Sequence, residues 1–341
     1  MPELRFIDGI RTALELELAR DPSVLVLGED VTFGGPFGAT KGLVERFGAK
    51  RIRDTPISEA TIMGMTVGAA LAGSRPVVEI MFLDFITLAM DQLVNHAAKL
   101  RYMTGGRLSV PLVVRAQGGA QGAMAAHHSQ SLEAWLTHVP GLRVVAASTP
   151  ADAQGLLRSA IRADDPVIFL EHRALYWTRG EVPEGDDAPL VPLDRAVVRR
   201  AGRDVTIAAW SRTVGTALAA ANDLAADGVE AEVVDLRSLA PLDLDTLLVS
   251  VARTGRLVVA HEAVTTGGLG AEVAARVGDA AWAELRAPVV RVGAPDVPPP
   301  FSPALETRFV PDAAAIIGAV RRTLEPRGRA AASALAPATP T

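Results

Sequence analysis

The sequence of 341 residues contains no cysteine. A chain without thiols cannot form disulfides, ligate zinc through cysteine or use a cysteine nucleophile, and it is typical of a reducing cytoplasm. Aromatic residues are scarce at 4%, so Ala, Val and Leu must supply most of the core. This composition favours α/β layers that pack through small residues.

Long apolar segments and a strong charge of one sign are also lacking. No uncharged apolar run reaches the length of a membrane span, and Met1–Phe6 lacks the basic-then-apolar pattern of a secretion signal. The formal charge of −5 argues against a nucleic-acid surface. We therefore expect a soluble, cytoplasmic protein with neither a nucleic-acid nor a membrane partner.

Several catalytic motifs are missing as well. The sequence has no G-x-S-x-G elbow, no G-x-G-x-x-G fingerprint and no Walker pattern. The glycine-rich stretch at residues 34–38 is interrupted by Pro36 and favours a surface loop. None of the six histidines stands in an H-E-x-x-H or another zinc spacing, so a histidine-ligated metal is not expected.

Apolar strand patterns alternate with helical patterns along the chain. Strands are predicted at 24–28, 76–82, 110–115, 143–147 and 166–171, and helices at 4–20, 60–73, 84–102 and 151–162. A second series has strands at 205–210, 231–235 and 257–260 and helices near 213–227, 243–253 and 269–277. This alternation predicts an α/β protein with two doubly wound domains.

Changes in amino-acid composition along the sequence indicate where the domains begin and end. Residues 177–195 crowd glycine, proline and aspartate together, which is typical of an interdomain linker. We expect a first domain at 1–180, a linker at 181–195 and a second domain at 196–326. The tail at 327–341 is rich in Ala, Pro and Thr and is predicted to be disordered.

Two local features are candidates for chemistry. The stretch Arg53–Glu59 predicts a turn followed by a helix whose first turn carries Glu59; an acid at this place commonly only stabilises the helix dipole. A glycine-rich loop presents His127 and His128 after a predicted strand, at the edge where doubly wound folds bind ligands. On the local pattern, catalytic and structural roles stay open for both histidines.

Several motifs together resemble one family, the β subunit of the thiamine-diphosphate-dependent decarboxylating component of 2-oxo acid dehydrogenase complexes. They include Leu27–Val31, Asp54–Glu59, Arg75–Ile80, His128–Ser131, Asp235–Leu239 and Phe301–Pro303, in order within a match of residues 4–325. Pyruvate, branched-chain and acetoin dehydrogenase β subunits belong to this family. The resemblance implies a transketolase-like pyrimidine-binding domain followed by a transketolase C-terminal-type domain.

The resemblance also implies residue roles. Glu59 would bind the N1′ atom of the cofactor's aminopyrimidine and favour its imino tautomer. The Phe85 ring would lie against the pyrimidine, although simple core packing explains a phenylalanine there equally well. His128 would stand beside the thiazolium and either orient the substrate carboxylate or serve proton and acyl transfer to the lipoyl group. His127 matches no fixed position and is treated as a bystander.

A main-chain potassium site is implied too. Its ligands would be carbonyls of the segments matching Leu112, Ala160, Ile161, Ala163 and Asp165. Ala163 stands where relatives often have a polar residue, a change that ligation by the main chain tolerates.

The family's Gly-Asp-Gly motif, which holds the cofactor's diphosphate through Mg²⁺, is absent. The resemblance therefore implies an α subunit that carries this motif, an α₂β₂ heterotetramer, and docking of the dihydrolipoyl acyltransferase. The expected reaction is oxidative decarboxylation of pyruvate or a branched-chain 2-oxo acid, or cleavage of acetoin, with acyl transfer to lipoyl groups. A self-sufficient transketolase and a non-catalytic two-domain binding protein remain as alternatives.

Overall fold

The structure is a computed structural model that describes residues 1–185 and 188–325. We call these ranges the first half and the second half of the chain. The predicted disordered tail at 327–341 and part of the predicted linker lie outside the described residues. The predicted domain boundaries stay a prediction.

The first half contains eight strands and seven α-helices, together with two short 3₁₀ helices and one π-helical segment. Its strands are β1 (Glu3–Arg5), β2 (Val24–Gly28), β3 (Ile52–Asp54), β4 (Arg75–Ile80), β5 (Val113–Gly118), β6 (Arg143–Ala146), β7 (Val167–His172) and β8 (Arg179–Glu181). Its helices are α1 (Phe6–Arg20), α2 (Leu43–Phe47), α3 (Glu59–Leu71), α4 (Ile86–Asp91), α5 (Ala98–Met103), α6 (Glu133–Thr137) and α7 (Pro150–Arg162).

The second half adds six strands and five helices. The strands are β9 (Val197–Arg200), β10 (Val205–Ala209), β11 (Ala231–Asp235), β12 (Ser238–Ala240), β13 (Leu257–Val264) and β14 (Val290–Ala294). The helices are α8 (Thr213–Ala226), α9 (Leu244–Thr254), α10 (Leu269–Ala280), α11 (Pro303–Phe309) and α12 (Ala313–Leu324).

Two larger sheets organise these elements, and both are doubly wound as predicted. The seven-stranded sheet has the order β12-β6-β7-β5-β4-β2-β3, with parallel pairing from β6 to β3. The five-stranded sheet has the order β14-β13-β10-β11-β9 and is parallel except for β9. Helices α1 and α7 cover one face of the larger sheet, and α3 and α4 pack on the other.

One hydrophobic cluster contains buried residues from both halves. Leu132 and Leu136 of the first half lie in the same buried cluster as Trp210, Leu247 and Leu269 of the second. In addition, β12 pairs antiparallel with β6, so the second half supplies an edge strand to the first sheet. The relative placement of the halves therefore rests on apolar packing and on main-chain hydrogen bonds.

Local details depart from the sequence predictions in three places. The strand predicted at 110–115 begins at Val113, because the amide of Leu112 bonds back to the carbonyl of Val110 in a tight turn. The helix predicted at 84–102 is divided by a π-helical segment, Gln92–Ala97, which contains His96. The helix predicted at 60–73 ends two residues earlier, because α3 ends at Leu71.

A buried ion cluster fixes α1 against α7. The carboxylate of Glu17, which is 0% exposed, accepts hydrogen bonds from Arg158 at 3.0 Å, Arg162 at 2.7 Å and Arg20 at 2.7 Å. Burial acts to raise the pKa of Glu17, but the arginine hydrogen bonds outweigh it and hold this pKa below the usual value. The charged form of Glu17 therefore stabilises the fold.

We expect Glu17→Gln to lower the free energy of unfolding by about 3–5 kcal/mol, because the buried guanidinium of Arg158 loses its counter-charge. Urea unfolding measures the change. In the wild type, the stabilisation should be present above the unfolded pKa of about 4.3 and be lost as pH falls through the lowered folded pKa.

Glu15→Gln is the matched control, because Glu15 is partly exposed and lies 3.7 Å from Arg46. This control should change stability by less than about 1 kcal/mol. An equal loss in both variants would contradict the importance of the buried cluster.

Candidate active site

The candidate site lies at the carboxyl edge of the larger sheet. Strands β5, β4, β2 and β3 are neighbours and run parallel, so the segments that follow them emerge at the same edge. Glu59 comes shortly after β3, Phe85 shortly after β4, and the loop with His128 follows β5. This is the edge at which ligands bind in doubly wound sheets.

Glu59 is the first residue of α3 and is 6% exposed. Among the described residues, its carboxylate has no hydrogen-bond partner, and the preceding Ser58 provides no side-chain cap. Its oxygens are not among the fully buried side-chain atoms without a partner, so solvent or a donor group of another molecule can reach them. Beside it, Ile57 is 81% exposed. This arrangement suits a polar ligand that approaches from outside the chain.

Two phenylalanine rings pack against the imidazole ring of His128. Its ring lies 4.5 Å from Phe82 and 5.4 Å from Phe85, centroid to centroid, with both pairs edge to face. The structure thus brings Phe85 and His128 together. It also places Phe82 beside them, a residue that was not among the candidates predicted from the sequence. His127 is exposed and lines a cleft of about 290 Å³ between the two halves, together with Ser129 and Gln130.

Asp84 ties these parts of the site together. Its Oδ1 atom accepts hydrogen bonds from the side chain of Gln130 at 2.8 Å and from the amide of Gln130 at 3.3 Å. The turn that carries Phe85 is therefore joined to the loop that carries His128. Within the described residues, Asp84 Oδ2 and the buried hydroxyl of Ser129 have no partner.

Glu29 is a candidate that the sequence reading missed. It follows β2 directly and belongs to the same sheet edge as Glu59. Partial burial and then the nearby carboxylate of Glu59 raise the pKa of Glu29. Glu29 lies in the Leu27–Val31 motif, but the sequence analysis gave it no role; its position right after a buried strand was the available signal.

A buried charge network lies beneath the site. The guanidinium of Arg115 on β5 bonds Glu79 on β4 at 2.7 Å and Glu171 on β7 at 2.7 Å. Tyr176 donates to Glu171 at 2.7 Å. Burial raises the pKa of Glu79, and Arg115 offsets only part of this effect. The network joins three adjacent strands close to their carboxyl ends.

The glycine-rich stretch at 34–38 packs over this network. A Cβ atom on Gly35, whose φ is +66°, would stand 3.1 Å from Glu79 Oε1. The left-handed backbone favours glycine here, and a Cβ atom would force the Glu79 carboxylate to shift by a few tenths of an ångström. This glycine therefore serves packing, in agreement with the interpretation that the stretch is not a phosphate loop.

The residues implied for a potassium site are engaged by other groups. Arg75 donates to the carbonyls of Ile161 at 3.1 Å and Ala163 at 2.8 Å. The carbonyls of Leu112 and Ala160 accept main-chain amides, and the Asp165 carboxylate bonds Arg101 and Arg143. A cation here would stand against the Arg75 guanidinium, so the arrangement does not fit potassium while Arg75 holds this place. The potassium site stays a prediction.

Among residues 1–185 and 188–325, no group of three or more His, Asp or Glu side chains is arranged to hold a metal ion. The same residues include no helix that is both long and apolar enough to cross a membrane.

Comparison with known proteins first defines the class. Residues 3–178 match the transketolase pyrimidine-binding domain, and residues 194–316 match the transketolase C-terminal domain. A solved structure described as a split-gene transketolase, inactive beta4 tetramer, superposes with a TM-score of 0.76 at 26% identity, covering 94% of this chain and 98% of that one. The transketolase of Leishmania mexicana has the same fold (TM-score 0.71, 18% identity, 95% of this chain and 46% of that one).

Curated relatives show to which group of transketolase-like proteins the chain is similar. The β subunit of the acetoin:2,6-dichlorophenolindophenol oxidoreductase of Cupriavidus necator is 47% identical, over 93% of this chain and 96% of the relative. The β subunit of the pyruvate dehydrogenase E1 component of Porphyra purpurea is 44% identical, over 94% and 97%. The chain belongs to this family of transketolase-like dehydrogenase β subunits, as the sequence motifs predicted.

We expect Arg75→Met to lower the free energy of unfolding by about 1–3 kcal/mol, because the carbonyls of Ile161 and Ala163 lose a charged donor. Thermal melting in potassium chloride and in choline chloride measures this. Potassium should leave the wild type unchanged and restore part of the loss in the variant.

Arg321→Met removes an exposed pair with Asp227 and is the control, with no expected response to potassium. A potassium-specific rise in the wild-type melting temperature would instead support a cation bound together with Arg75.

Proposed function

We propose that the chain is the β subunit of a 2-oxo acid dehydrogenase decarboxylating component. Its reaction is the oxidative decarboxylation of pyruvate or a branched-chain 2-oxo acid, with acyl transfer to lipoyl groups of an acyltransferase. Membership of the β-subunit family supports the reaction class. The main structural support for the site is Glu59, a residue with 6% exposure whose carboxylate makes no hydrogen bond within the described chain, at the sheet edge that also presents Phe85 and His128.

The residues present fit one half of thiamine diphosphate. When bound, this cofactor supplies the electron sink that carbon–carbon cleavage requires. Glu59 would bind the N1′ atom of its aminopyrimidine, which gives the buried carboxyl group the partner that it lacks within the described chain. The exposed side of the Phe85 ring would pack against the pyrimidine.

His128 would act on the substrate. None of the described residues makes a hydrogen bond to its ring nitrogens, while Phe82 and Phe85 hold the ring edge to face. The nitrogens are therefore available to orient a carboxylate or to hold and release a proton. His127 remains a bystander in this proposal, because it matches no fixed position of the family.

We propose that an α subunit completes the site in an α₂β₂ heterotetramer. The sequence lacks Gly-Asp-Gly, so the diphosphate and Mg²⁺ would be held by that partner. Phe33, 85% exposed in the loop after β2, and Ile57 offer apolar surface beside the site for another chain. The related split-gene transketolase structure is described as an inactive beta4 tetramer. The cytoplasmic location stays a prediction.

Acetoin is a second candidate substrate. Two relatives, from Cupriavidus necator and Bacillus subtilis, are subunits of acetoin-oxidising enzymes at 47% and 45% identity, slightly above the pyruvate dehydrogenase relatives. Pyruvate, branched-chain 2-oxo acids and acetoin should be compared with the reconstituted pair and a dye acceptor. The substrate with the highest kcat/KM identifies the enzyme.

We expect Glu59→Gln to reduce kcat of the chain, co-expressed with its α partner, by at least about 100-fold, because a glutamine cannot exchange a proton with the aminopyrimidine. The thermal stability of the chain should change little. Steady-state decarboxylation and thermal melting measure the two effects.

Glu45→Gln, at an exposed position on α2, is the charge-matched control and should keep full activity. Unchanged turnover in the Glu59 variant would contradict the proposed mechanism and favour a non-catalytic binding protein.

A further inference from the structure

We propose that the second half of the chain positions the loop that carries His128, and that Glu306 is the main positioning residue. The loop comprises residues 119–131, between β5 and α6. The contacts themselves are independent of the reaction, whereas their effect on turnover rests on the proposed function. Glu306 lies on α11, more than 180 residues away in sequence.

Several residues of the loop have left-handed backbone conformations. Ala123 and Ala125 have φ values of +56° and +59°, and Gly122 has +79°. Left-handed backbone is unfavourable for alanine and persists only where surrounding contacts hold it. Such strain near a candidate catalytic residue points to contacts that select one loop conformation.

Glu306 makes those contacts. Its carboxylate accepts the amide of Gly122 at 3.1 Å and the amide of Ala123 at 3.0 Å and 3.2 Å. Both amides point to the same side because of the left-handed turn, so one carboxylate satisfies two adjacent donors. Hydrogen bonds to a charged acceptor are roughly twice as strong as neutral ones.

Other side chains of the second half hold the beginning of the loop. Glu262 on β13 accepts the amide of Ala120, and Arg212 donates to the carbonyl of Ala120 at 3.0 Å. Phe309, on the same helix as Glu306, packs against Ala120 in a small buried cluster. The Ala120 end of the loop is therefore fixed by polar and apolar contacts from the second half.

Glu262 is held in turn by the first half. His172 Nε2 lies 2.9 Å from Glu262 Oε2, and His172 Nδ1 accepts the amide of Ala174, so Nε2 carries the proton. A Cβ atom on Gly119 would stand 2.0 Å from His172 Nε2. The loop can pass between the halves only because this residue is glycine.

The first half contacts both ends of the loop. Arg173 donates to the carbonyl of Gln121, near the beginning of the loop, at 2.8 Å and to the carbonyl of His128 at 3.1 Å. Asp84 binds Gln130 close to the end of the loop. Residues 124–127 thus lie between two anchors. Releasing the Glu306 anchor frees the segment that leads into His128, and the ring loses its fixed orientation against Phe82 and Phe85.

Glu306→Gln tests the proposal because the amide group keeps the shape but turns a donor toward one of the two amides. Hydrogen exchange of residues 119–131 should become on the order of ten- to a hundred-fold faster, with the global melting temperature nearly unchanged. With the α partner present, kcat should fall about tenfold or more with little change in KM. Glu306→Asp should recover part of both effects.

Glu284→Gln removes the same charge at an exposed position of the second half and should behave as the wild type. Exchange in the loop that is equal in the Glu306 and Glu284 variants overturns the proposal, and so does faster exchange with an unchanged kcat. If the wild-type pair has no decarboxylase activity, the proposed function fails, while the exchange measurement still decides whether Glu306 holds the loop.

Discussion

The architecture of the candidate site depends on the buried guanidinium of Arg115. It joins β4, β5 and β7 through Glu79 and Glu171, close to the carboxyl ends of these strands. The segments with Phe85, His128 and Arg173 leave the sheet just beyond those ends. Removing one member of such a network leaves a buried charge without compensation, which costs more than the pair contributes. The network therefore fixes the positions of three neighbouring strands along the strand direction. These positions determine where each functional segment leaves the sheet.

Above this network, the site is divided among several parts of the chain. Glu59 and Phe85 belong to the first half, whereas the loop with His128 is held from both sides, by Arg173 and by carboxylates of the second half. Asp84 Oδ2 and the Ser129 hydroxyl are buried without a partner within the described residues, and the accessible Glu59 carboxylate makes no hydrogen bond there. The apolar surface at Phe33 and Ile57 is consistent with a second protein chain at the same edge. Such a division makes activity sensitive to the packing of the two halves.

Sequence patterns predicted most of the regular structure because parallel strands that are buried on both faces are continuous apolar runs. They failed where the chain pairs over long distances. Strand β12 has only three residues and pairs with β6 of the other half, so its sequence carries no strand signal of its own. The π-helical segment 92–97 was also missed, because its residues have an ordinary helical pattern. The interpretation of Gly35 as part of a plain loop was incomplete, since only the structure shows Glu79 beneath it.

The sequence by itself determined the fold class, the helix start at Glu59, the loop with His128 and the resemblance to one family. The fold class and the resemblance follow from patterns and motifs along the chain, and the helix start and the loop follow from residues that are close together in sequence. Only the tertiary structure decided which side chains satisfy which groups: Arg75 reaches the carbonyls of Ile161 and Ala163, and Glu306 reaches the amides of Gly122 and Ala123. These contacts join residues that are separated by more than 80 and 180 positions. Local propensity carries no information about such pairs, because they form only when the sheets and the two halves pack together.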